Sequence, residues 1–361
     1  MILRRFWIPL VYVLLGGVIS WLLPLTSPLT LGQITSYRGA LLRQSSIDYQ
    51  LISPLLACDV GSESAFPEFA PLKQLLKNLV NTKVTAGDVE HMSIYLRSMR
   101  SARWFEINTD QTYAPASLLK IFVMMAFYKE ADTTDNPGLL QQYIPFESSA
   151  YALDGTDAVG GTIVHLVNGK FYTVDQIINQ MITYSDNDAY ATLLNHFNPQ
   201  TLNALQAIST DLTIPLPVTH KENSLDFMSV EKYSMVFRVL FGSTYLSERY
   251  SQKALQLLSQ AKYTTGIVAG VPSNLVVAHK YGIRAVLSAS TATPNELHDC
   301  GIVYYPNHPY LLCIMTKGKD LVAQQESIKD ISAAAYEWLD AYYKSLPSSS
   351  AATSTPPVIM P

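Results

Sequence analysis

The segment 113–128 constrains this chain most, because it is almost entirely apolar and yet carries a serine near its start and a lysine inside it. Pro115 suits the first turn of a helix, and the large apolar residues after it favour a buried helix. Residues three apart lie one turn above each other on a helix, so Ser117 and Lys120 are expected to share a face. Burial would lower the pKa of Lys120 towards that of a usable base. The segment therefore predicts a serine nucleophile with its own activating lysine.

The same spacing of serine and lysine occurs twice more, at 229–232 and 259–262. We interpret these copies as polar surface positions or a helix cap, with Ser229 as the candidate N-cap. A single Ser-x-x-Lys is therefore weak evidence of catalysis until other residues support it.

The composition indicates a globular domain with an added apolar segment. The 361 residues are 48% apolar and 15% charged, the formal net charge is −4 and the isoelectric point is near 6.0. Because no long basic run appears, we expect no nucleic-acid partner. The seven histidines show no paired ligand spacing, so we predict neither a metal site nor a cofactor.

The N-terminus carries a long apolar segment. Arg4 and Arg5 precede residues 6–23, which contain no charged side chain. This length can cross a bilayer and exceeds the apolar core of a cleaved signal peptide, roughly 7–15 residues. By the positive-inside rule, residues 1–24 are predicted to form a cytoplasmic stub and a single transmembrane anchor, with the rest of the chain outside the cell membrane. A cleaved signal peptide remains the alternative.

The rest of the chain divides into a linker, one domain and a tail. Residues 25–65 mix Pro, Ser, Thr and Gly with short apolar runs, which suits a linker and the entry to a domain. Residues 66–346 carry the helix and strand patterns of the domain itself. Residues 347–361 are rich in Ser, Thr and Pro and are predicted to be a disordered tail.

Five segments of this domain have the character of strands. They lie at 91–97, 103–107, 275–280, 301–305 and 311–316. A mostly helical stretch separates the second from the third, and a helix at 321–346 closes the domain. This order predicts an α+β fold, in which an antiparallel five-stranded sheet is flanked by helices and joined to an all-helical subdomain.

Three cysteines, Cys58, Cys300 and Cys313, are too few for a disulfide framework. Cys300 and Cys313 can face each other across a hairpin of neighbouring strands, but the sequence leaves their redox state open. Cys58 ends a segment that looks like a lipid-attachment box, which we discount because it lies far beyond the apolar N-terminus.

Two further motifs follow the serine and lysine of 117–120. Ser-Asp-Asn stands at 185–187 and Lys-Tyr-Gly at 280–282. In this order the three motifs resemble those of class A β-lactamases and of the penicillin-binding D,D-peptidases. The resemblance extends over most of residues 66–345, including the approaches to the second and third motifs and the last predicted hairpin. It implies a β-lactamase-like serine hydrolase that forms an acyl-enzyme.

The resemblance also implies a role for each motif residue. Ser117 would be the acylated nucleophile, and Lys120 its base or proton relay. Ser185 would pass a proton to the leaving nitrogen, and Asn187 would hydrogen-bond the acylamide side chain of the substrate. Lys280 would supply positive potential for the substrate carboxylate and for Ser185. The oxyanion hole would consist of the backbone N–H groups of residues 117 and 283, the second being Ile283.

Two departures from the family pattern affect these roles. The family has Thr or Ser between the lysine and Gly282, where the hydroxyl meets the substrate carboxylate, whereas this chain has Tyr281. We hypothesise that Arg284 replaces that contact with a bidentate grip. The Glu-x-x-x-Asn loop that deacylates class A β-lactamases has no clean match, and Glu222 is the nearest candidate for the deacylating base.

The sequence therefore predicts a membrane-anchored, extracytoplasmic serine hydrolase that acylates Ser117 and hydrolyses the β-lactam amide. One alternative is a D,D-carboxypeptidase acting on the D-alanyl-D-alanine peptides of peptidoglycan. Another is an acylated sensor or binding module without turnover, which rapid β-lactam hydrolysis would exclude. The sequence leaves open the choice among these, the identity of the deacylating base and the oligomeric state.

Overall fold

A five-stranded antiparallel sheet organises the part of the chain that the computed structural model describes, namely residues 50–52, 67–148, 166–216, 226–285 and 294–346. The strands in these residues are β1 (His91–Ser98), β2 (Trp104–Ile107), β3 (Tyr143–Pro145), β4 (Phe171–Thr173), β5 (Val277–Arg284), β6 (Asn295–Val303) and β7 (Tyr310–Gly318). The large sheet has the spatial order β2-β1-β7-β6-β5, and β3 pairs with β4 in a small second sheet. The predicted five-stranded antiparallel sheet is confirmed, whereas the sequence did not predict the β3–β4 pair.

Helices cover both faces of the large sheet. They are α1 (Ala70–Ala86), α2 (Lys120–Thr133), α3 (Val174–Thr183), α4 (Asn187–Asn195), α5 (Pro199–Asp211), α6 (Val230–Phe241), α7 (Glu248–Leu258) and α8 (Leu321–Ser345). Strand β1 shows how the faces separate, because side chains alternate along a strand. Ile94 and Leu96 pack with α1 and α8, whereas Tyr95 packs with the helical subdomain formed by α2 to α7.

Helix α2 is the buried core of the helical subdomain. Its residues 120–128 are all buried, so it shows no polar face and no helical periodicity of apolar residues. The predicted helix over 113–128 is correct in type, but its first turn, Ala116–Leu119, is a 3₁₀ helix and the α-helix begins at Lys120. Ser229 caps α6, as predicted, by accepting a hydrogen bond from the Lys232 backbone N–H.

Two predicted strands were too short. Strand β5 continues to Arg284 instead of ending at Lys280, and β6 begins at Asn295 instead of Gly301. The missed part of β6 is polar, Asn-Glu-Leu-His-Asp, and such a sequence is typical of a loop. These polar side chains are nevertheless buried from Glu296 onwards, because they have hydrogen-bonding partners elsewhere in the domain.

Strands β6 and β7 are joined by a disulfide. Cys300 and Cys313 are directly opposite each other in the strand register and are bonded to each other. Cys300 is also opposite Lys280 of β5 in the strand register. The disulfide therefore lies within the sheet, on the strand next to that lysine. The structure thus answers the redox question that the sequence left open.

Other predictions concern residues beyond this region. In the residues that the structure describes, no helix is both long and apolar enough to cross a membrane. The predicted anchor at 1–24, most of the linker at 25–65, the tail at 347–361 and Cys58 lie outside the described residues.

Candidate active site

Ser117 lies in a tight turn where the chain enters α2. It is the second residue of the 3₁₀ turn, and Ala116 before it has a left-handed φ of 48°. A non-glycine residue in this region is uncommon and persists only where the surroundings hold it. The turn is closed by a hydrogen bond from the Leu118 N–H to the Pro115 carbonyl, 3.0 Å. The Ser117 side chain is half-buried and remains accessible to a ligand.

Strand β5 supports this turn through Gly282. A Cβ on Gly282 would lie 2.6 Å from the Pro115 carbonyl oxygen and 3.0 Å from Leu118 Cγ. Only glycine lets the strand approach the turn so closely. Ile283, whose N–H is predicted to serve the oxyanion hole, is the next residue of this strand.

Lys120 is the hub of the site. Its Nζ donates to Ser117 Oγ at 3.0 Å, to Asn187 Oδ1 at 2.7 Å and to the Ser185 carbonyl oxygen. The side chain is 2% exposed, and burial lowers its pKa to about 7, although the negative charge of Asp186 opposes this shift. Near neutral pH a large share of Lys120 is therefore uncharged and able to accept a proton.

The Ser-Asp-Asn segment is fixed by its aspartate. Asp186 is the N-cap of α4, where it accepts hydrogen bonds from the Ala189 N–H and from Gln180 Nε2, each 2.9 Å long. Ser185 before it has a left-handed φ of 58°, which turns its hydroxyl towards the lysines of the site. The sequence assigned no role to Asp186, although an aspartate at the start of a helix is a recognisable cap.

Lys280 closes the cluster from the sheet side. Its Nζ donates to Ser185 Oγ at 2.8 Å and to the Tyr281 carbonyl oxygen at 2.9 Å. Burial and, secondarily, the positive charge of Lys120 hold the pKa of Lys280 well below its usual value. The residue before it, His279, forms a buried hydrogen bond of 2.8 Å between its Nδ1 and Asp299 Oδ1. This bond joins β5 to β6 next to the lysine.

The structure brings five sequence-predicted residues into one hydrogen-bonded cluster. They are Ser117, Lys120, Ser185, Asn187 and Lys280. Glu222 lies outside the described residues. In the described part of the chain, no group of acidic, histidine or cysteine side chains is arranged to hold a metal ion.

Sequence reasoning missed a clamp on the turn before Ser117. Glu296 Oε2 accepts a hydrogen bond from the Ala114 N–H at 2.8 Å, and His298 Nε2 donates to the Ala114 carbonyl at 3.0 Å. Because both backbone polar groups of Ala114 are held by side chains of β6, the position of the following turn is fixed. The only sequence sign of this clamp is the charged and polar residues inside a strand.

Replacing Glu296 with alanine should loosen this clamp. Because the buried Ala114 N–H would lose its acceptor, we expect a loss of about 2 kcal/mol in the free energy of unfolding, measured by urea denaturation. The matched control is Glu326→Ala, which removes an exposed ion pair with Lys329 and should leave the urea midpoint unchanged. Equal effects of the two substitutions would contradict a special role for Glu296.

Comparison with protein families decides what kind of protein carries this cluster. The model of the beta-lactamase enzyme family matches residues 71–339, about three quarters of the chain. The chain belongs to the beta-lactamase enzyme family. The Ser-x-x-Lys, Ser-Asp-Asn and Lys-x-Gly motifs all lie inside the matched range, which confirms the resemblance seen in the sequence.

Solved structures show the same fold at low identity. PBP-A has a TM-score of 0.58 and 20% identity, with 75% of this chain and 97% of PBP-A covered. A beta-lactamase from Sphaerobacter thermophilus has a TM-score of 0.58 and 20% identity, covering 73% and 96%. A beta-lactamase from Xanthomonas campestris has a TM-score of 0.59 and 14% identity, covering 74% and 98%. No protein with curated annotation matches the sequence.

Within this β-lactamase fold, Tyr281 and the arginine hypothesised to compensate for it take unexpected positions. Tyr281 is 7% exposed and stacks on Tyr263 with ring centroids 4.1 Å apart. Arg284, which we hypothesised to grip a substrate carboxylate, donates instead to Glu296 Oε1 at 3.0 Å and lies 3.6 Å from Asp226 Oδ1. The guanidinium is therefore already opposed by carboxylates of the protein.

Proposed function

We propose that this chain is a membrane-anchored, extracytoplasmic serine hydrolase that forms an acyl-enzyme on Ser117 and hydrolyses the amide of a β-lactam. The observation that carries the proposal is the hydrogen bond of 3.0 Å between Lys120 Nζ and Ser117 Oγ, in a site where burial lowers the pKa of the lysine to about 7. A serine hydroxyl becomes a useful nucleophile when an adjacent base accepts its proton. The family to which the chain belongs gives the class of reaction.

The acylation step follows from the contacts of the cluster. Neutral Lys120 accepts the proton of Ser117 as Oγ attacks the carbonyl carbon, and the N–H groups of residues 117 and 283 stabilise the oxyanion. When the tetrahedral intermediate collapses, the bond to nitrogen breaks and the leaving nitrogen takes a proton from Ser185. Ser185 is reprotonated through Lys120, whose Nζ lies 3.3 Å from Ser185 Oγ. One proton thus passes from the nucleophile to the leaving group.

This step makes acylation depend on the charge of Lys120. Only the neutral amine accepts the proton, so the acylation rate constant should rise as the pH increases and level off above the Lys120 pKa of about 7. Below that pKa, we expect about a tenfold fall in rate for each pH unit. Stopped-flow or quenched acylation between about pH 5 and pH 9 measures this profile. A rate that falls as the pH rises through 7 would contradict the assignment of Lys120 as the base.

A D,D-peptidase with slow deacylation is the second candidate function. In the described residues, the carboxylates around Ser117 already have other partners. Asp186 caps α4, Asp226 pairs with Lys317, and Glu296 holds the Ala114 N–H. A site without a carboxylate to orient water would keep its acyl group. Glu222 remains the proposed deacylating base if turnover is fast.

The extracytoplasmic location has two supports. Arg4 and Arg5 precede an uncharged apolar segment long enough to span a bilayer. The bond between Cys300 and Cys313 also suits an oxidising compartment, because disulfides are rare in the reducing cytoplasm.

Intact-mass spectrometry of the full-length protein in detergent tests the proposal. We expect benzylpenicillin or its methyl ester to add one equivalent of mass to the wild type and nothing to Ser117→Ala. Recovery of unmodified enzyme with steady product formation would establish a β-lactamase. A persistent adduct would select the peptidase alternative, which D-alanine release from a peptide would then test. The absence of both an adduct and product formation, with both compounds, would overturn the proposed function.

A further inference from the structure

Lys280 is buried, and its amine is held by contacts inside the protein. Two of its N–H bonds point to Ser185 Oγ and to the Tyr281 carbonyl, at 2.8 and 2.9 Å. Its Nζ also lies 4.3 Å from the centroid of the Tyr281 ring, within the range of a cation–π contact. The Lys280 side chain has no exposed surface at all. A ligand carboxylate therefore cannot reach this lysine while the ring is in place.

The Tyr281 ring is held firmly over Lys280. It stacks on Tyr263 with an angle of 17° between the ring planes, and its side chain is hydrogen-bonded to Ser185. Burial raises the pKa of the phenol, so it remains a neutral group at physiological pH. A threonine at this position would leave the volume of the ring empty.

The nearby arginine gives no second site for a carboxylate. Arg284 bonds to Glu296 and approaches Asp226, and Asp226 in turn accepts a hydrogen bond of 2.5 Å from Lys317. The positive charges of Arg284 and Lys317 are thus matched by the negative charges of Glu296 and Asp226. A ligand carboxylate entering here would compete with carboxylates that are already in contact with the cations.

We propose that Tyr281 is a specificity-determining residue, which closes the carboxylate position of the site and disfavours acyl donors that carry a carboxylate beside the leaving group. Burying an anion against Tyr281 without a cationic partner is costly, whereas an ester or a neutral amide has no such cost. The preferred acyl donors, β-lactams included, are therefore uncharged on the leaving-group side. This inference rests on the proposed acylation of Ser117 and extends it.

Benzylpenicillin and its methyl ester form a matched pair of probes, because they differ only in the charge of this carboxylate. Acylation rates of the full-length protein are measured by intact mass and divided by the alkaline hydrolysis rate of each compound, which corrects for intrinsic reactivity. We expect the ester to acylate wild-type Ser117 at least about tenfold faster than the acid on this corrected scale.

The variants test whether Tyr281 causes the preference. Tyr281→Thr opens Lys280 and should shift the corrected ratio towards the acid by about 100-fold, as expected for one charge-assisted hydrogen bond. Tyr281→Phe keeps the ring over Lys280 and should keep the preference for the ester. Thermal unfolding is recorded for both variants. If Tyr281→Thr does not fold, the wild-type ratio still tests whether the site disfavours a carboxylate, and an equal rate for acid and ester overturns the inference.

Each outcome separates this inference from the proposed function. Labelling of wild-type Ser117 by the acid as fast as by the ester overturns the inference and leaves the acyl-enzyme function intact. An unchanged ratio in folded Tyr281→Thr overturns the role of Tyr281. The absence of both labelling and turnover, with both compounds, overturns both proposals.

Discussion

Lys120→Ala is expected to slow acylation of Ser117 by about 1000-fold, the size of effect typical for loss of a general base. The lysine donates to three oxygen atoms of the catalytic cluster, one of which is the Oγ of the nucleophile. Its loss removes the proton acceptor and also frees Ser185 and Asn187 from their common partner. Quenched-flow labelling with benzylpenicillin methyl ester measures the effect.

The chain supplies its own control for this substitution. Lys232 belongs to another Ser-x-x-Lys sequence, but its side chain is exposed and its serine serves only as the cap of α6. Ser117 of the Lys232→Ala protein should therefore be acylated at the wild-type rate. If Lys120→Ala labels within threefold of wild type while remaining folded, the assignment of the base is wrong.

Gly282→Ala is expected to have the second largest effect, because it acts on both rate and stability. The added methyl would lie 2.6 Å from the Pro115 carbonyl oxygen, a backbone atom that cannot move without displacing the Ser117 turn. Overpacking of this kind costs about 1–3 kcal/mol, and a displacement of about 1 Å at a nucleophile costs about 100-fold in rate. Urea unfolding and acylation kinetics measure the two effects separately.

Gly318→Ala is the matched control on the same sheet. A Cβ there would lie 3.3 Å from Val89 Cα, a contact that small shifts relieve, and it is outside the catalytic cluster. We expect a small change in stability and no change in acylation rate. A Gly282→Ala protein that acylates as fast as Gly318→Ala would show that β5 does not position the nucleophile.

The sequence predicted the chemical centre of the site because its residues conflict with their surroundings. A lysine such as Lys120 inside an apolar helix is costly to bury and indicates a function. The three motifs, in their order along the chain, identify that function as activation of a serine nucleophile. The local pattern also predicted the five-stranded sheet, the closing helix and the cap at Ser229. Each strand, the closing helix and the cap depend on residues that are near one another in the chain, although the sheet itself pairs β1 with the distant β7.

The parts that the sequence did not predict depend on distant partners. Ala114 and Glu296 are separated by 182 positions, so no local pattern shows that a glutamate in β6 holds the turn before Ser117. No local pattern shows the partners of Arg284 either, so the sequence alone favours a substrate carboxylate over Glu296 and Asp226. Strand β6 was predicted too short for the same reason, since its polar residues are satisfied only in the assembled domain.

The long separations within the cluster also bear on how the protein folds. Lys120 and Ser185 are 65 positions apart, and Ser185 and Lys280 are 95 positions apart. Contacts between such distant segments carry the entropy cost of closing large loops and form late in slow-folding topologies. The cluster around Ser117 and Lys120 gains Ser185 and Lys280 only when the helical insertion and the sheet have docked. A covalent probe of Ser117 therefore counts the molecules that have completed folding, and ignores collapsed intermediates that already contain α2.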